Sequence, residues 1–206
     1  MNGQQVSVVV VQDAARRARI AELAGDQAWI ARAPVFLAVI MDFHKTALAI
    51  GMAGRQQLIH ESVEGLLMGG VDCGIALGHM MTAARSLGLD VVPIGGIRRN
   101  PQAMIELLQL PDKTFPLVGL CVGHIDQAAA QKPRLPEYTF RHDERYDASR
   151  LAGGIAEYDH TLMQHWQKIG QSDGLPWTSN LARSYARVYY PDVRPAAASQ
   201  GLLGDK

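Results

Sequence analysis

Residues 131–136 read QKPRLP, and Lys132 and Arg134 stand two apart around Pro133. In extended backbone, side chains two apart point the same way. The two cations can therefore converge on one anion. Pro133 restricts the backbone and lowers the entropy lost on ordering. Arginine brings a bidentate fork and lysine a point charge. Phosphate binding suits this set. A solvated basic turn is the plain alternative, and the residues alone leave both open.

A second stretch that could serve chemistry is PIGGIRRN, residues 93–100. Gly95 and Gly96 fall between strand-forming residues and a helix, where missing side chains let backbone N–H groups approach a ligand. The GxGxxG spacing is absent, and no acidic residue follows at the dinucleotide-binding distance. Without further context a tight turn is the plain reading. His60 begins HESVE, which lacks the second histidine of HExxH, and His160 and His165 are poorly spaced for one helix face. No metal site is expected. There is no Gly-x-Ser-x-Gly elbow, and neither Cys73 nor Cys121 sits where a thiol would be activated. No side chain stands out as a catalyst, so an enzyme built on this sequence would leave the chemistry to a cofactor.

These stretches need elements to hold them. Residues 6–12, VSVVVVQ, predict a β-branched strand. Asp13 predicts a cap for the helix AARRARIAELAG, which Gly25 would end. DQAWIARA predicts a short helix stopped at Pro34, and residues 35–43 a buried strand. Residues 58–87 predict one long helix ended by Gly88. Its apolar residues lie on more than one face, so a central position is expected. Gly65, Gly69, Gly70, Gly74 and Gly78 each cost roughly 1 kcal/mol there relative to alanine. Such a set suggests the close approach of a backbone, a flat ligand or a partner helix, with a broken helix as the alternative. Residues 90–96 predict a short strand, Pro101 opens a helix, and residues 115–125 predict the strand that precedes the basic segment. An amphipathic helix over 153–170, a polar loop over 171–180 and a last helix through Arg183 and Arg187 complete the pattern. The proline-marked tail is expected on a surface, its own or a partner's. Alternating strands and helices predict an α/β or α+β layer fold, with the sense of strand pairing open.

The chain has 206 residues, 48% of them hydrophobic, enough for one well-packed domain. Its 20 basic and 20 acidic side chains balance, which argues against a nucleic-acid binder. Both cysteines lie in apolar runs, as expected of buried reduced thiols in the cytoplasm. Residues 62–87 carry Glu64, Asp72, His79 and Arg85, so no membrane span is expected. No secretory signal is read at the start.

In order, GDQAWIARAPVFLAVIMD, GGVDCGIALGHMMTAARSLGLDVVPIGGIRRNP, FPLVGLCVGH, KPRLP and PWTSN resemble the oxygen-insensitive NADPH nitroreductase and flavin reductase family over nearly the whole chain, from about Val6 to Leu203. IGGIRRN followed by GLCVGH and KPRLP is the most specific part. The resemblance implies an α+β fold, a mixed sheet flanked by helices, as one domain over 1–206 with a C-terminal extension from about 171. It also implies a homodimer with FMN at each subunit interface. Electrons would pass by a ping-pong route from NADPH to nitroaromatics, quinones or flavins. By the same resemblance Gln27, Trp29, Pro93, Ile94, Gly95 and Gly96 lie against the flavin. Lys132 and Arg134 clamp its phosphate, and Arg194 meets the NADPH 2′-phosphate. Trp29 replaces a family tyrosine, and Pro93 replaces an aromatic residue and removes an N–H. Family members carry about forty residues more before the first strand, including a His-Arg-Ser-x-Arg loop for the phosphate. The expectation is a start upstream of Met1 or an FMN cradle lacking half its arms. A non-catalytic dimeric module with weak or no FMN binding is the alternative function.

Overall fold

The computed structural model describes every residue except Met1, Gln127, Ala129, Asp205 and Lys206. The chain divides into two compact units, Met1–Ile125 with Tyr190–Lys206, and Asp126–Tyr189.

In the first unit the β-branched run forms β1 (Val6–Val11). Asp13 caps α1 (Ala14–Leu23) by accepting the Arg16 N–H at 2.8 Å. Gly25 follows with a left-handed φ of 95°. α2 (Ala28–Arg32) stops before Pro34, and the apolar run becomes β2 (Val35–Asp42). Then come α3 (His44–Met52), a 3₁₀ turn (Ile59–Glu61), α4 (Val63–Ser86), β3 (Asp90–Ile94), α5 (Pro101–Leu108) and β4 (Thr114–Gly123). The second unit holds α6 (Leu151–Lys168) and α7 (Trp177–Tyr185), and α8 (Val193–Ser199) belongs to the first unit again.

The sheet order is β1-β2-β4-β3, and every pairing is antiparallel. The α+β class holds; among the described residues the sheet expected to be mixed is an antiparallel one. Phe36, Ala38 and Ile40 pack with Ile20, Ile30 and Met104, while Val39 and Met41 pack with Cys73, Phe115 and Ala197. This is strand alternation with both faces covered, and it explains why β2 reads as a nearly unbroken apolar run. Pro116 lies inside the central strand β4, where a proline has no N–H to give. The register accommodates it: Val39 pairs with Val118 and Ile40 with Pro116, leaving Leu117 as the extra residue of a bulge.

The long helix differs from expectation in two ways. It begins later, because Ser62 accepts the Gly65 N–H at 3.1 Å and caps it after the 3₁₀ turn. It is also one-sided rather than central. Gly65, Gly69, Cys73 and Ala84 are its buried residues, while Val63, Leu67, Val71 and Ile75, spaced by four, are exposed. The glycines divide in the same way. A Cβ on Gly65 would lie 2.1 Å from the Ile59 carbonyl oxygen, and one on Gly69 2.4 Å from the Met41 sulfur. Gly70, Gly74 and Gly78 face open space. Packing within the chain explains the first pair and leaves the other three unexplained.

The tail expected on a surface lies there for most of its length but sends one face of α8 and Leu202 into the core. Ala196, Ala197 and Leu202 are buried beside Met41 and Phe115. Gln200 fastens them to the start of β4. Its Nε2 donates to the Pro111 and Thr114 carbonyls at 3.0 and 3.1 Å, and its carbonyl accepts the Lys113 N–H at 2.7 Å. In the second unit, Tyr158, Leu162 and Trp166 form a stripe along α6 that packs with Leu135 and Trp177.

Candidate functional site

The glycine turn lies in the first unit. β3 delivers Ile94, which is 2% exposed and belongs to the core. Gly95–Arg98 then makes a 3₁₀ turn. Pro93 is exposed on the edge strand β3 opposite Leu120, a position that tolerates a missing N–H. A Cβ on Gly96 would lie 2.3 Å from Gln27 Nε2 and 2.5 Å from the Ala24 carbonyl oxygen. That amide nitrogen donates to the same carbonyl at 2.7 Å. Gly96 is therefore glycine so that the Gln27 amide can lie on the turn, and the structure brings these two site candidates together. Gly95 is different. A Cβ there would meet only Arg98 Nη2, at 3.6 Å, an ordinary contact. Nothing inside the chain demands glycine at 95, and a flat group lying on bare backbone would. Trp29, two residues beyond Gln27, is 48% exposed.

Three residues just after the glycines anchor this turn, a role that their spacing did not reveal. Arg98 Nη1 donates to the carbonyl of Leu117, the bulge residue of β4. Arg99 crowds the Cα of Gly25, where a Cβ would lie 2.7 Å from its Nη1. Asn100 Nδ2 donates to the Leu23 carbonyl at 2.7 Å.

The basic segment lies in the second unit. Lys132 and Arg134 line one pocket of about 550 Å³ together with Gln131, Pro133, Thr161, Gln164, His165 and Lys168. Its lining holds three cations and no acid. Among the described residues none of the three has an ion-pair partner. Arg134 Nη1 instead turns back onto the carbonyls of Lys132 and Pro133, at 3.0 and 3.1 Å. His165 Nε2 is shielded from solvent without a hydrogen-bond partner among the described residues, although buried polar groups are ordinarily paired. Thr161, Gln164, His165 and Lys168 all come from α6, some thirty residues downstream by the numbering, and only folding makes them neighbours of Lys132. Arg194, the second residue of α8, is exposed in the first unit and makes no ion pair with Asp192.

Comparison with known proteins gives this geometry a context. The nitroreductase family model matches residues 1–124, and the model of the nitroreductase family C-terminal domain matches residues 132–205. The FMN reductase [NAD(P)H] of Bacillus subtilis is 43% identical over 209 aligned residues, covering 100% of this chain and 84% of that protein. The NADPH-flavin oxidoreductase of Vibrio harveyi is 33% identical, covering 97% of this chain and 81% of its own length. The solved structure of NfrA2 from B. megaterium superposes with a TM-score of 0.94 at 39% identity, over 100% of this chain and 83% of that one. With both family models matched in sequence order and the fold shared, this chain belongs to the nitroreductase family.

Proposed function

We propose that the protein is an FMN-dependent NAD(P)H oxidoreductase that reduces electron-poor small molecules such as nitroaromatics, quinones or flavins. The observation that carries this reading is the acid-free pocket that gathers Lys132, Arg134 and Lys168, built on the segment that the family resemblance assigns to FMN phosphate. Gly95 supports it from the ring side, because its bare backbone has no internal cause. Two of the relatives compared above are named for FMN or flavin reduction.

Bound FMN would supply the two-electron carrier, since no side chain here is suited to one. The chain's own residues bind and orient. Lys132, Arg134 and Lys168 neutralise phosphate charge, and charge-assisted hydrogen bonds of this kind contribute roughly 1.5–3 kcal/mol each. Gln27, fixed by its bond to Ala24, and the Ile94–Gly96 backbone border the ring. Backbone donors near the ring favour negative charge that develops there. Coenzyme and acceptor use one open face in turn, which gives ping-pong kinetics. Arg194, exposed and without an ion pair among the described residues, takes the coenzyme 2′-phosphate. The exposed apolar stripe of α4, with Gly70, Gly74 and Gly78 beside it, forms the face of a homodimer. The buried thiols Cys73 and Cys121 fit a cytoplasmic enzyme.

The test is direct. The purified protein, incubated with FMN and desalted, should keep a flavin absorption spectrum and oxidise NADPH when an acceptor is added. Arg134→Ala should weaken FMN by about 10- to 150-fold and riboflavin hardly at all. A colourless protein that takes up no flavin would return the reading to a non-catalytic module.

A further inference from the structure

The basic segment is exposed, carries two prolines and has no regular secondary structure. Two residues of α6 nevertheless fasten it. Tyr158 Oη donates to the Pro133 carbonyl at 3.1 Å, between the two cations. Two helical turns along, Lys132 Nζ lies over the Trp166 ring, 4.9 Å from its centroid. Both aromatic residues are themselves held. They are buried with Leu162 in the second unit's core, and Trp166 Nε1 donates to the Leu175 carbonyl at 3.1 Å. Gly174 lies so close to the indole that a Cβ there would be 2.3 Å from Trp166 Cγ. The indole is thus held in place, and its ring fixes where the lysine charge sits.

We infer that Tyr158 and Trp166 are positioning residues for anion recognition: they hold Pro133 and Lys132 so that the phosphate cradle exists before its ligand arrives. The inference rests on the proposed phosphate pocket. The physical reason is preorganisation. A lysine carries large rotamer entropy, and a charge held in place loses less of it on binding than a free one.

The experiment titrates the full-length apoprotein with FMN and with riboflavin and compares their dissociation constants. The ratio isolates the phosphate, whereas general damage to the fold weakens both ligands. Tyr158→Phe and Trp166→Leu should each lower the FMN advantage by about 3- to 10-fold, the scale of one hydrogen bond or one cation–π contact. Trp166→Phe, which keeps a ring under Lys132, should restore most of that loss. In a Lys132→Met background, Trp166→Leu should have no further effect on the ratio. If Lys132→Met and Arg134→Ala leave the ratio unchanged, the pocket is not a phosphate site, and this inference falls with it. If those two lower the ratio while Tyr158→Phe and Trp166→Leu do not, or lower FMN and riboflavin affinity equally, the positioning role alone is overturned.

Discussion

An added methyl at Gly95 would touch the Arg98 guanidinium at 3.6 Å, while one at Gly96 would lie 2.5 Å from the Ala24 carbonyl oxygen. The two neighbours should therefore respond differently to the same substitution. Gly96→Ala should destabilise the fold by about 1–3 kcal/mol, as overpacking against backbone does, visible as a lower denaturant midpoint. Gly95→Ala should leave that midpoint within about 0.5 kcal/mol and weaken FMN and riboflavin alike, because it acts at the ring. The thiols make a pH prediction. Burial, helped by the nearby Asp72 and Asp42 carboxylates, pushes Cys73 up from 9.0 to about 12, and burial pushes Cys121 to about 11. A group whose folded pKa is raised stabilises the fold below its unfolded pKa and loses that contribution as pH climbs toward the folded value. Stability should therefore fall above about pH 9, by up to about 1.4 kcal/mol per pH unit for each thiol. Denaturant melts of wild type and Cys73→Ala between pH 8 and 10.5 should show a shallower decline in the variant, after correction for its lower starting point. Arg194→Ala should raise the KM for NADPH and leave that for NADH nearly unchanged, because ground-state binding lost equally in the transition state appears in KM. Steady-state kinetics with both coenzymes check this. Among single residues, type and spacing singled out the basic pair and the glycine pair as candidates, and packing against Gln27 and Ala24 accounts for Gly96. Arg98, Arg99 and Asn100 were not, because their partners, Leu117, Gly25 and Leu23, are distant in the chain.

At the scale of elements, strands and capped helices were legible where a local signal was strong. The β-branched run made β1, Asp13 capped α1, and Pro101 opened α5. α3 was missed because none of its residues is buried and its N-cap residue is Phe43, whose side chain caps nothing, so it leaves neither an apolar stripe nor an N-cap signal to read. α8 was hidden by Pro195, which is tolerated because it falls in the helix's first turn. The polar face of α6 that completes the basic pocket gave no sign, since solvated and ligand-facing residues have the same composition. Gln200 offers a test of the α8 packing. Its side chain serves the carbonyls of Pro111 and Thr114 in a buried setting, so Gln200→Ala should lower stability by about 1–3 kcal/mol. Gln200→Glu should be worse, because it replaces a buried donor with a charge.

Across the whole molecule, the one-sided α4 is the largest departure from what its apolar content led us to expect. An exposed stripe of Val63, Leu67, Val71 and Ile75 is the kind of surface that proteins cover. A Cβ on Gly74 would meet nothing within 4 Å beyond its own helix, so Gly74→Leu should leave the stability of the single chain unchanged or slightly higher, given the better helix propensity. If the stripe is the dimer face, the same change should weaken association by about 5- to 150-fold through overfilling. Sedimentation across a concentration series reads both species, and a wild-type chain that stays monomeric at micromolar concentration would remove the dimer from the proposal.

The return of α8 to the first unit has a consequence in time. The second unit, Asp126–Tyr189, is an excursion between β4 and a helix that completes the core of the first. On the ribosome, β1 to β4 emerge long before Ala196, Ala197 and Leu202, so the strands must wait with the part of the Met41 and Phe115 cluster that these residues cover still exposed while the excursion is made. Closing a long loop delays the contacts that reward it. The excursion, whose contacts are local, is free to order first, and the first unit finishes last although most of it was made first. A nascent chain halted before Tyr190 should therefore bind a hydrophobic dye or a holdase chaperone, and release it once the last helix has left the tunnel.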